Sequence, residues 1–164
     1  HQDSRDLIIT NNDYLNAQVN FKVTNKNISS FFSKNKHQVT LLGGFISSNI
    51  EGETTTLGRG GSDFSAAIYA AALDADELQI WTDVSGMFTA NPRVVKQAFA
   101  IPHISYQEPM ELSHFGAQVI YPPTIQPVLK KEIPIVIKNT FQPDEIGTLI
   151  AKETGKNKTV KGIS

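Results

Sequence analysis

Ser62-Asp63-Phe64-Ser65-Ala66-Ala67-Ile68-Tyr69-Ala70-Ala71-Ala72-Leu73, separated by four residues from Leu78-Gln79-Ile80-Trp81, decides the fold. Ser62 and Asp63 are helix-capping types, and the alanines that follow have the highest helix propensity. The second stretch is short, apolar and rich in residues that favour a pleated backbone, so it reads as a strand. Thr82-Asp83-Val84-Ser85-Gly86 is then a turn, and Asn91-Pro92-Arg93 a second one. Further along, Ser105 with Glu108 three residues later forms a capping box, predicting a helix to about Gly116. Val119-Ile120-Tyr121 reads as a short strand, and Pro122-Pro123 opens a helix to about Lys131. Ile133–Ile137 and Thr148–Ile150 are strands.

Towards the N-terminus, Val39-Thr40-Leu41-Leu42 reads as a buried strand and residues 25–36 as a weak helix with Ile28, Phe31 and Phe32 on one side. Leu7–Thr10 is another short strand. Residues 43–61 hold six of the 11 glycines and predict a long polar loop. Strands therefore alternate with helices, and several strands are continuously apolar. That combination predicts an α/β fold with a mainly parallel sheet covered on both faces. In such sheets ligands bind beyond the carboxyl ends of the strands, which directs attention to the segments after 39–42 and 78–81.

The first is Thr54-Thr55-Thr56-Leu57-Gly58-Arg59-Gly60-Gly61-Ser62-Asp63. Glycines let a backbone approach a ligand closely, and the helix start that follows adds a positive dipole end. Arg59 is a fork donor suited to a carboxylate or phosphate. A Gly-rich loop before a capped helix is also an ordinary connection; the Arg and Asp embedded in this one point to a site. It is not a phosphate loop of the Walker type, because no Lys precedes Ser62. The second segment runs from Trp81 to Arg93. Asp83 can accept from a base or ribose, Phe88 can face an adenine, and Arg93 can pair with phosphate. The four histidines have no metal-ligand spacing.

Composition narrows the classes. The chain has 164 residues and a net charge of −1, which gives no electrostatic argument for nucleic acid or an anionic membrane. Cysteine is absent, excluding a disulfide framework and thiolate metal sites. No apolar run reaches the ~20 residues of a membrane-spanning helix. His1–Arg5 does not read as a signal peptide. A cytoplasmic domain is expected.

Taken together, these stretches resemble the aspartokinases of the amino acid kinase family. The resemblance runs from Asp3 to about Ile150. It rests on Gly44-Phe45-Ile46 with TTTLGRGGSD at 54–63, on IWTDVSGMFTANPR at 80–93, and on ELSHFGAQVIYPPT at 111–124 with NTFQPDEIGTLI at 139–150. TTTLGRGGSD argues against the related uridylate and glutamate 5-kinases, and a non-catalytic binding module is the alternative from another class. The resemblance implies a three-layer αβα sandwich of the carbamate kinase type. It also implies phosphorylation of the L-aspartate side chain by ATP, with Mg²⁺ carried by the nucleotide. It places Phe45, Arg59, Gly60, Gly61 and Ser62 at the aspartate, and gives Asp63 a role in organising the transition state. Thr82, Asp83, Phe88, Arg93, Gln118 and Val119 fall at the ATP. The family usually has Lys where Gln118 stands; Gln donates a hydrogen bond but carries no charge. The family's Lys-Phe-Gly-Gly-Thr motif does not occur. Residues 1–150 are therefore expected to be the later part of a catalytic domain, inactive alone. Residues 151–164 are expected to be a linker toward a regulatory ACT region, and the parent protein a homo-oligomer.

Overall fold

The computed structural model describes residues 1–92, 94–108 and 120–152. The chain divides into two compact units, His1–Ala75 with Pro123–Pro127, and Asp76–Pro122 with Val128–Ser164.

In the first unit, helix α1 spans Phe21–Lys34 and α2 spans Gly61–Ala72. The α1 start lies earlier than the apolar pattern predicts, because the Asn20 side chain caps it by accepting from the Val23 N–H. The two helices pack through Ile28, Ile68 and Tyr69 against Leu7, Ile8 and Leu57, with Phe31, Phe32 and Phe64 at the margin. Phe21 and Phe64 meet edge to face at 6.4 Å.

Three expectations fail in this unit. Val39–Leu42 is not a buried strand: only Leu42 forms a bridge, to Gln2, while Val39 is 86% and Leu41 67% exposed. Nor is 43–61 one loop. Strands β1 (Ile46–Ser48) and β2 (Thr54–Thr56) form an antiparallel hairpin within it, with Ser47 opposite Thr55. Its buried side chains are hydroxyls. The Thr55 hydroxyl bonds those of Ser47 at 2.8 Å and Thr10 at 2.7 Å. Such pairs satisfy buried oxygens without an apolar signature. Leu7–Thr10 contributes only single bridges, Ile9 to Ser48 and Thr10 to Val19.

The second unit is built on a four-stranded sheet. Its strands are β3 (Leu78–Thr82), β4 (His103–Ser105), β5 (Ile135–Asn139) and β6 (Thr148–Ala151), in the order β3-β5-β6-β4. β3 pairs parallel with β5 and β4 parallel with β6; β5 and β6 are antiparallel. The sheet is thus mixed but mostly parallel, an α/β arrangement as expected. β3 is not covered on both faces: Leu78 and Ile80 are buried, Gln79 and Trp81 exposed. Ile135, Ile137 and Ile150 are fully buried and form the sheet's apolar face with Ile104.

Ser105 lies at the end of β4 rather than outside the sheet, but its N–H does donate to the Glu108 carboxylate, as the capping box requires. The helix predicted beyond it lies outside the described residues from 109 onward. Pro122–Ile125 is a 3-10 turn running into α3 (Gln126–Leu129). No helix among the described residues is long and apolar enough to cross a membrane.

Candidate functional site

The sequence-predicted residues of the first unit gather around the start of α2. Gly60 precedes the helix with φ 67° and offers no side-chain cap, and the Gly61 N–H turns back to the Gly58 carbonyl at 3.0 Å. Arg59 and Ser62 are exposed on either side of the Gly60-Gly61 step. Asp63 sits in the first turn, half-buried, and no described residue donates a hydrogen bond to its carboxylate. Burial pushes its pKa above the ordinary carboxylate value.

Phe45 lies over the same helix start. Its φ is 73°, a rare conformation for a residue with a side chain, and the Ile46 N–H donates to the Gly44 carbonyl at 2.9 Å across it. This is a γ-turn of the strained kind. A Cβ on Gly61 would stand 2.6 Å from the Phe45 ring, so only glycine at 61 allows the ring its place. Phe45 remains 42% exposed.

In the second unit, Thr82 ends β3 and its carbonyl accepts from the Thr140 N–H at 2.8 Å. Its hydroxyl donates to the exposed Asp83 carboxylate at 3.2 Å. Phe88 bridges antiparallel to Ala100 and is half-buried. Arg93, Gln118 and Val119 lie outside the described residues.

Apolar patterning misses the groups that hold the 82–88 turn. Thr148, fully buried, accepts from the Met87 N–H at 2.8 Å and donates to the Ile101 carbonyl at 2.7 Å. Asn139 donates to the Ser85 hydroxyl at 2.9 Å and accepts from the Phe141 N–H at 2.9 Å, and Ser85 donates to Gln142 at 3.2 Å. The sequence signal for these is a polar residue at a position where the strand pattern asks for an apolar one. Among the described residues no group of three or more His, Asp or Glu side chains is placed to hold a metal ion.

Residues 2–139 match the profile of the Amino acid kinase family, and the chain belongs to that family. Solved structures similar to it include aspartokinases. E. coli aspartokinase III, in complex with aspartate and ADP, superposes with a TM-score of 0.87 at 36% identity, over 94% of this chain and 35% of that one. The aspartate kinase of Clostridium acetobutylicum superposes with a TM-score of 0.84 at 36% identity, over 95% of this chain and 35% of that one. The bifunctional aspartokinase/homoserine dehydrogenase of Buchnera aphidicola is 44% identical over 98% of this chain and 20% of its own length. The chain thus spans about a fifth of the curated relative and about a third of the solved ones.

Proposed function

We propose that the chain is part of the catalytic domain of an aspartokinase. The parent enzyme transfers the γ-phosphoryl group of ATP to the side-chain carboxylate of L-aspartate, giving 4-phospho-L-aspartate. The observation that carries this reading is Arg59, held between two left-handed glycines, Gly58 and Gly60, at the uncapped start of α2. A guanidinium fork at a helix N-terminus suits a small dicarboxylate. The presence of aspartate and ADP in the matched aspartokinase III structure supports it.

The chemistry asks little of an acid or base. One carboxylate oxygen attacks the γ-phosphorus, the bond to the β–γ bridging oxygen breaks, and ADP departs. The nucleophile is already ionised, so no proton has to be removed from it. What remains is positioning and neutralisation of charge on the phosphoryl oxygens. In this reading Arg59, Gly60, Gly61 and Ser62 hold the aspartate carboxylates and Phe45 lines the subsite. Asp63 orients the cations that meet the phosphoryl group. Thr82, Asp83, Phe88 and Arg93 receive the nucleotide, with Gln118 and Val119 beside its phosphates, and Mg²⁺ arrives with ATP. We assign 1–150 to the kinase domain and 151–164 to a connection toward a regulatory ACT region. The parent protein is placed in the cytoplasm as a homo-oligomer acting on small molecules, without nucleic acid or membrane.

The test is a coupled ADP-release assay of the full-length protein with L-aspartate, L-glutamate and UMP offered separately. Turnover with aspartate alone is expected; turnover with UMP or glutamate instead would discard the reading. In the same assay Arg59→Ala should raise the aspartate KM roughly 10- to 150-fold. That range corresponds to losing a charged hydrogen-bonding pair of about 1.5–3 kcal/mol. The ATP KM should stay within about twofold, since a separate group of residues holds the nucleotide. An unchanged aspartate KM would remove Arg59 from the subsite.

A further inference from the structure

We propose that Ser65 is a positioning residue for the aspartate subsite: it locks the strained Phe45 turn onto the first turn of α2. This inference rests on the aspartokinase reading given above.

A side-chain-bearing residue at φ 73° persists only when its surroundings over-determine it. Ser65, one turn into α2 and 2% exposed, supplies that constraint. Its hydroxyl oxygen accepts from the Phe45 N–H at 2.8 Å, and its proton is donated to the Gly61 carbonyl at 2.7 Å. One hydroxyl therefore ties the turn carrying Phe45 to the residue at which the Phe45 ring rests. The Phe45 carbonyl is held too, by the Leu57 N–H at 3.0 Å. One helical turn further, on the same side of α2, Tyr69 donates to the buried Ser4 hydroxyl at 2.8 Å, and Ser4 donates to the Gly43 carbonyl. Two hydroxyls at i and i+4 thus brace consecutive parts of the 43–45 segment.

A serine inside an alanine-rich helix gains nothing from propensity. Alanine at 65 would leave the Phe45 N–H without its partner and the turn free to relax from its unfavourable φ. The Phe45 ring would then leave the helix start where the subsite lies. Nucleotide binding depends on other residues and would not change.

The experiment uses the full-length protein and the variants Ser65→Ala, Ser65→Thr and Ser65→Cys. Ser65→Ala should raise the aspartate KM about tenfold, the net effect of one buried hydrogen bond. The ATP KM should be unchanged, which also reports that the protein is folded. Ser65→Thr keeps the hydroxyl and should restore the aspartate KM. Ser65→Cys, nearly isosteric with a weak donor and acceptor, should fall between, and serves if alanine does not fold. A readout without substrate is amide hydrogen exchange at Phe45, which should accelerate in Ser65→Ala and recover in Ser65→Thr. Faster exchange with an unchanged aspartate KM would overturn the positioning role while leaving the aspartate reading intact. Equal rises in the aspartate and ATP KM values would mean a general structural role and would also overturn it. A wild-type protein that does not turn over aspartate would overturn both the aspartate reading and this inference, even if the exchange result held.

Discussion

Gly86→Ala is expected to destabilise the second unit severely and to weaken nucleotide binding with it. Gly86 has φ 113°, which L side chains seldom adopt, and a Cβ there would stand 2.3 Å from the Thr148 Oγ1. The backbone strain costs roughly 1–3 kcal/mol, and forcing a methyl group into a packed site adds about as much again. Thr148 cannot yield easily, because its hydroxyl already serves the Met87 N–H and the Ile101 carbonyl. Gly52→Ala separates the two costs. Gly52 has φ 84°, but nothing lies within 4 Å of a Cβ there. Gly52→Ala should therefore lower the unfolding midpoint by the backbone strain alone, and Gly86→Ala by clearly more. Thermal or urea unfolding of the two variants measures the difference, and equal losses would show that the Thr148 contact does not resist. Because Gly86 ends the 82–86 turn, the ATP KM should rise in Gly86→Ala and not in Gly52→Ala.

The same contrast explains what was legible in the sequence. α2, β3, β5 and β6 lie within two residues of their expected limits, because alanine runs and apolar runs signal helix and buried strand directly. β1 and β2 were not legible as strands. Their buried residues, Ser47, Ser48 and Thr55, are polar and offset burial with hydrogen bonds: Ser47 and Thr55 bond each other, and Ser48 donates to the Arg5 carbonyl. A β-branched Thr54–Thr56 run after Gly52 was the available signal, and the glycine count hid it. Val39–Leu42 failed the other way. Apolarity says which residues gain from burial, not that a neighbour exists to cover them, and Val39 and Leu41 stand exposed. The candidate site divided along similar lines. Arg59 and Asp63 announce themselves as charges in a glycine loop. Ser65, Tyr69 and Thr148 act through hydrogen bonds whose partners lie far along the chain or in an unexpected turn, and no spacing rule identifies them.

Asp63→Asn should have the largest effect on turnover and an opposite effect on stability. The carboxylate lies half-buried in the first turn of α2 with no hydrogen bond from a described residue, and burial raises its pKa from 3.8. A raised carboxylate pKa means that the native state holds a proton more tightly than the unfolded chain does. Stability contributed by this group therefore falls as pH rises from about 3.8 through the folded value, and stays reduced at neutral pH. Asparagine has the same shape and no charge to desolvate. Asp63→Asn should accordingly unfold at a higher temperature than wild type at pH 7, and the difference should shrink towards zero as pH falls below 3.8. The favourable placement of a negative charge near a helix N-terminus opposes this gain and limits its size. Catalysis should move the other way. In the aspartokinase reading proposed above the nucleophile is ionised, so Asp63 would have no proton to take, and its contribution would be the negative charge that orients cations toward the phosphoryl group. Losing one such preorganised electrostatic partner costs roughly 10²- to 10³-fold in kcat, while the aspartate and ATP KM values should change far less. Steady-state kinetics and thermal unfolding of the full-length variant across pH 3–8 test both halves. A kcat close to wild type would take Asp63 out of the mechanism, and a lower unfolding temperature at pH 7 would show that its charge stabilises the helix start more than desolvation opposes it.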